Sequence, residues 1–440
     1  DPIPARHVRL ALDASPHNVV EHGVGPVMAR LGSSPRLLVP ESHHYCFEKA
    51  LDLLGLGKSA LVSVPVDDHF RMNPSALADA LDRADAAGDH VLAVVAVVGS
   101  TEEGAVDPVD EIVALRRRRT AAGKPSFWLH ADGAYGGYLR TATIPVRCGL
   151  GEASSRVWVG GREARVPLAL PEHAECEALA HLPACDSVTI DPHKLGYIPY
   201  PAGAICFQSD LVKPLVRQAA PYLDDDPGDI ERERRSDSVG LFALEGSKPG
   251  ATAAAVWLSH SLIPLDTSGH GRLIRANIRG ACELHALLEN FPRLSGDDRL
   301  ASVRAVPLCP PGSNIVCYAF APTRPAPLQR MNELNRALYA RFSTQSGQRV
   351  TEQTFFVSRT ALALSRYSLA AVGPFLDRLG VTPDEYAAHG VFLLRSVIMN
   401  PWLELAKERQ RYFLSELVAD LFSVAAGLVA LDQVQAAGLT

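Results

Sequence analysis

The chain has 440 residues, 47% of them hydrophobic, which is enough for two packed regions with an ample core. A formal net charge of −6 and a pI near 6.2 argue against nucleic acid as the main partner. Mean hydropathy is near zero and the longest apolar run, residues 91–98, is too short to cross a bilayer, so neither a membrane span nor a signal peptide is expected.

In chain order, residues 36–40, 60–66, 91–98, 126–131, 187–190 and 202–207 read as strands. Residues 47–54, 74–86 and 108–122 read as helices between them. This alternation predicts an α/β fold: a mostly parallel sheet with helices on both faces. The basic run 116–119 reads as a solvated helix end, suited to the helix dipole. Residues 139–180 look like an irregular insertion, and the charged stretch 221–238 like a mobile surface loop. An Ala-rich helix begins at 250–261. Strand-like segments at 314–321 and 391–399 and a helical tail over 402–428 then form a smaller α+β C-terminal domain. The expected division is 1–257, a connecting helix over 258–290, and 291–440. Eight cysteines are scattered without CxxC spacing, as in a cytoplasmic protein with reduced thiols.

Chemistry concentrates at strand ends. Asp191-Pro192-His193-Lys194 follows the strand 187–190, and Asp132 follows the apolar stretch Phe127-Trp128-Leu129-His130-Ala131. Open α/β sheets present catalytic groups there, outside the carboxyl ends of their strands. A lysine beside a strand-end aspartate suits a Schiff base to pyridoxal 5′-phosphate, with the aspartate holding the pyridinium nitrogen protonated. Two more segments, His43-His44-Tyr45-Cys46 and Gly99-Ser100-Thr101-Glu102-Glu103-Gly104-Ala105, fall at other strand ends where one crevice can collect them all.

These segments resemble the group II pyridoxal-phosphate-dependent amino acid decarboxylases, a fold-type-I family. Within it, Val97 to Asp107, Asp191 to Tyr200 and Glu245 to Ala251 are most similar to bacterial tyrosine decarboxylases. The similarity runs from about residue 36 to 290 and returns at 391–402. The resemblance implies roles residue by residue. Lys194 is the Schiff-base lysine and Asp132 the partner of the pyridine nitrogen. His44 stacks on the cofactor ring, with His43 expected at the surface, and Ala134 packs on the opposite ring face. Thr101 and Ser100 lie near the ring, and His193 near the phosphate or substrate. Tyr200 lines the substrate pocket. Tyr222 is either the donor that returns a proton to Cα or an anchor at the loop base. Ser396 either reaches the pocket from the C-terminal domain or belongs to its core.

The implied reaction is α-decarboxylation of an aromatic L-amino acid, L-tyrosine first, by a homodimer with its site at the subunit interface. Two other outcomes stay open: an oxygen-consuming aldehyde synthase or a decarboxylase of another, non-proteinogenic amino acid, and a non-catalytic subunit of such an enzyme. One departure from the family stands out. No glycine-rich Ser/Thr segment to cradle the phosphate occurs in residues 1–35, and in His22-Gly23-Val24-Gly25-Pro26 the proline lacks an N–H donor. Either the N-terminal part belongs to a longer precursor or a separate polypeptide, which the Asp1 start favours, or this chain has lost the phosphate cup.

Overall fold

The computed structural model describes residues 5–144, 150–171, 173–218, 240–245, 247–344 and 349–436. Tyr222 and the charged loop 221–238 lie outside the described residues.

The larger sheet contains β1 (Pro35–Pro40), β2 (Leu61–Val64), β3 (His90–Val97), β4 (Trp128–Gly133), β7 (Ser187–Ile190) and β8 (Ala204–Phe207) in the order β2-β1-β3-β4-β7-β8. All neighbours are parallel except β8, which closes the edge antiparallel to β7. Between β4 and β7 the stretch read as irregular contains an antiparallel hairpin, β5 (Ser154–Val159) with β6 (Arg162–Pro167), and the helix His173–Ala180. The helices start where capping chemistry allows. Asn73 accepts the Ser75 and Ala76 N–H groups, Pro74 opens the helix Pro74–Ala87, and Gly88 ends it in the left-handed region.

Helices pack on both faces of this sheet, but unequally. Leu129 and Ala131 of β4, with Val94 and Ala96 of β3, face the main core beneath the helices Pro74–Ala87 and Val109–Ala121. Among the described residues the opposite face carries only a small cluster of Val39, Val95 and Val97, with Phe47 packed on it. Strand alternation places His130, Asp132, Ser187 and Thr189 on that second face, while Ile205 and Phe207 of β8 are exposed. The basic run also differs from expectation. Arg119 is buried against Asp82 and Asp85, and Arg116 holds Asp186, so half of the run ties helices and strands together.

The smaller sheet is antiparallel: β9 (Val303–Pro307), β10 (Ile315–Pro322), β11 (Ser358–Leu362) and β12 (Val391–Val397), in the order β11-β12-β10-β9. Helices Leu328–Arg341 and Leu369–Leu379 contribute to its core, and Val66, Phe70 and Ala105 of the first region join it. The connecting segment is two helices, Gly250–Leu262 and His270–Ser295, rather than one over 258–290. The helical tail breaks into Leu403–Glu408 and Phe413–Ala436, with Gln410 at φ 58° between them. Phe413–Asp432 is long and apolar enough to cross a bilayer. Its buried stripe Leu414, Leu417, Val418, Leu421 and Phe422 instead packs inward, with Phe422 against Phe291 and Phe320. Cys176 is disulfide-bonded, contrary to the expectation of reduced thiols, while Cys46, Cys185, Cys206, Cys282, Cys309 and Cys317 are free.

Candidate active site

The parallel register brings the carboxyl ends of β1, β3, β4 and β7 side by side, so the four segments leave the sheet at the same end. Asp132 sits inside the ladder, opposite Val97 on one side and Thr189 on the other. It is 9% exposed, and one carboxylate oxygen accepts the Ala134 N–H at 3.2 Å. The chain turns at once beneath it. A Cβ on Gly136 would stand 2.3 Å from the Val98 carbonyl, so only glycine lets this turn lie against the end of β3. The Ala134 carbonyl accepts the Asp191 N–H at 3.1 Å, which joins the aspartate segment to the lysine segment.

Lys194 is held by a turn in which its N–H donates to the Asp191 carbonyl at 2.9 Å and the Ile198 N–H to that of Pro192 at 3.1 Å. Its ammonium lies 3.0 Å from the Asp191 carboxylate and its side chain is 36% exposed, within reach of a ligand entering the crevice. Tyr197 adopts φ 57° and donates its hydroxyl to the Met399 carbonyl, fixing the turn to the C-terminal region. His193 is exposed, with Nδ1 on the Ala202 carbonyl.

His44 is half-buried, and its Nδ1 accepts the Cys46 N–H at 3.2 Å, so the neutral ring carries its proton on Nε2. Burial holds its pKa below the ordinary imidazole value. Asp132 pulls the other way, while Lys194, Arg366 and Lys49 add to the depression. Asp132, Lys194 and His44 therefore share one electrostatic neighbourhood. The histidine expected at the surface is the buried one: His43 is turned inward, with Nδ1 on the Pro40 carbonyl at 2.7 Å.

The remaining expected residues divide. Ala134 lies in the turn after Asp132, and Thr101 has an exposed side chain at the end of β3. Ser100 is buried, and its hydroxyl donates to Glu103 and accepts the Ala105 N–H, so it is built into its own turn. Tyr200 is 52% exposed. Ser396 stays apart, buried in the small sheet with its hydroxyl 3.1 Å from that of Tyr318. Sequence reasoning missed Arg395, which donates to the Thr101 and Glu102 carbonyls, and the bond from the Tyr135 hydroxyl to Asn314. Both link residues far apart in the chain, and no local pattern announces them. Among the described residues no group of three or more His, Cys, Asp or Glu is placed to hold a metal ion.

Comparison with known proteins adds to this geometry. Residues 17–170 match the family described as the pyridoxal-dependent decarboxylase conserved domain, and residues 280–419 the tyrosine decarboxylase C-terminal domain. The chain is 35% identical over 371 residues to an L-tyrosine decarboxylase of Enterococcus faecium, covering 83% of this chain and 58% of that protein. It is 35% identical over 401 residues to the L-tyrosine decarboxylase of Levilactobacillus brevis, covering 88% and 60%. The chain thus spans about three fifths of the length of these relatives. Among solved structures, mouse CSAD shares the fold at a TM-score of 0.62 and 19% identity, over 96% of this chain and 70% of that one. Oryza sativa TDC with PLP and tryptamine does so at 0.62 and 18%, over 97% and 68%. The fold is therefore the fold-type-I architecture of these enzymes.

Proposed function

The chain belongs to the pyridoxal-dependent decarboxylase family, and from that premise we propose that it removes the α-carboxylate of an aromatic L-amino acid, L-tyrosine first, with release of carbon dioxide and the amine. The observation that carries this reading is the placement of Lys194 and Asp132 at adjacent strand ends with the half-buried His44 ring in the field of both.

These residues fit pyridoxal 5′-phosphate. A partly exposed primary amine faces the crevice, and a nine-tenths-buried carboxylate has one oxygen bonded to a backbone N–H. When bound, the cofactor supplies an electron sink for the bond that releases carbon dioxide. Lys194 would hold its aldehyde carbon, and Asp132 would keep a proton on its ring nitrogen. His44 would cover one ring face and Ala134 the other. Thr101 and Ser100 would stand beside the ring, and His193 beside the phosphate. Tyr200 would line the substrate side, and Tyr222 would return a proton to Cα. A cytoplasmic homodimer whose partner subunit helps to wall the site belongs to the same proposal.

The test is reconstitution of the purified chain with pyridoxal phosphate. A visible band of the lysine-bound cofactor, absent in Lys194→Ala, and equimolar carbon dioxide and tyramine from L-tyrosine are expected. Absence of the band would sink the proposal for this chain, and peroxide formed with aldehyde would change the product.

A further inference from the structure

We propose that Arg366 is a positioning residue of the site, and that the run Arg366-Tyr367-Ser368 fastens the loop bearing His44 to the loop bearing Thr101. The inference rests on the function proposed above. None of these three residues belongs to the motifs at the strand ends. They lie beyond β11, in the C-terminal region, and each reaches back to the crevice.

Arg366 Nη2 donates to the His43 carbonyl at 2.7 Å and Nε to the Glu41 carbonyl at 3.2 Å. The Ser368 hydroxyl donates to the Glu41 carboxylate at 3.4 Å. Two side chains thus grip the segment that delivers His44, one of them through the carbonyl of the peptide immediately before it. The same residues hold the second loop. Arg366 Nη1 is 3.4 Å from the Glu102 carboxylate, on the residue after Thr101. The Tyr367 hydroxyl donates to Glu103 at 2.5 Å, and the other Glu103 oxygen takes the Ser100 hydroxyl at 2.9 Å. Tyr367 and Glu103 are both buried, so this bond is shielded from water, and losing one partner would strand the other.

Arginine suits the task because its planar fork serves two carbonyls and a carboxylate from one rigid group, which an ammonium cannot do. None of the three is argued to touch reacting atoms; they act through His44 and Thr101. A stacking ring that must sit within a fraction of an ångström of its productive place needs such a fixed entry of the chain. The Arg366 charge also acts on His44, together with Lys49, Lys194 and Asp132.

The test compares Arg366→Gln, Arg366→Lys and Glu102→Gln in the full 440-residue chain. Four quantities are read: the visible band with pyridoxal phosphate, kcat and KM for L-tyrosine, and the titration midpoint of the His44 ring resonances without cofactor. Both Arg366 variants should keep the band and lose kcat on the order of tenfold, with KM little changed. The His44 midpoint should rise in Arg366→Gln and stay in place in Arg366→Lys, which separates charge from geometry. Unchanged kcat with an unmoved midpoint in Arg366→Gln overturns the proposal. If that variant does not fold, Glu102→Gln decides: a several-fold loss of kcat supports the fastening of the two loops, and unchanged kcat rejects it. If the unaltered chain shows neither band nor product, the proposed function fails. The His44 midpoint then still reports on Arg366 alone.

Discussion

Lys407 and Glu283 form an ion pair in which each side chain is only 3% exposed, and the Ser155 hydroxyl bonds to both. The pair joins the helix Leu403–Glu408 to the helix His270–Ser295 and, through Ser155, to β5. Removing the Lys407 charge leaves the Glu283 carboxylate buried without its ion-pair partner. Lys407→Met should therefore cost about 3–5 kcal/mol in urea unfolding, while Lys407→Met with Glu283→Leu should regain most of that loss. A double variant as unstable as the single one would reject the account.

His285 makes stability depend on acid. Burial, aided by the charge of Arg378, lowers its pKa to about 4. The unfolded imidazole titrates near its ordinary value of about 6.5, so between those values the unfolded chain binds a proton that the folded chain refuses. The contribution is intact above pH ~6.5 and is lost as pH falls toward 4, by roughly 3 kcal/mol in all. Unfolding free energies at pH 7 and 4.5 should differ less in His285→Gln than in the parent. Equal differences would remove His285 as the cause.

Two glycines provide a matched pair. Gly136→Ala forces a Cβ against the Val98 carbonyl, a backbone group that cannot swing aside, and should destabilise by about 2 kcal/mol. Gly25, in the helix Val24–Leu31, has open space around its Cβ position, so Gly25→Ala should be neutral or stabilising by up to ~1 kcal/mol. Thermal unfolding of the two variants side by side checks both.

Asp132→Asn keeps the shape of the side chain but removes the charge. On the proposed function, kcat should fall on the order of 10²–10³-fold while the visible band of the bound cofactor persists. Steady-state rates beside absorption spectra separate lost chemistry from lost binding.

The strand ends were legible because strand length and order follow from local apolar runs. That was sufficient to put Lys194, Asp132, His44 and Thr101 after strands that the parallel register sets side by side. The limits are physical. Reading β4 two residues early left Asp132 outside the ladder, whereas its register with Thr189 places it within. In a His-His doublet, which ring turns inward depends on the Pro40 carbonyl and the surrounding packing, and the order came out reversed. Arg119 looked solvated because its partners, Asp82 and Asp85, come from a different helix. The strand β11 escaped notice because its exposed Ser358 and Arg359 dilute the apolar signal. Arg366 was invisible because its partners are backbone carbonyls more than 320 positions away.

That separation bears on when the protein becomes competent during synthesis. Lys194, Asp132 and the parallel strands leave the ribosome well before Arg366, Tyr367 and Ser368, and domains can fold while the remainder is still being made. A nascent chain short of residue 366 already carries the lysine, but Arg366 is not yet there to restrain the backbone leading into His44. Competence therefore arrives late in translation, and ribosome-stalled chains ending on either side of this run should differ in how firmly that histidine is held.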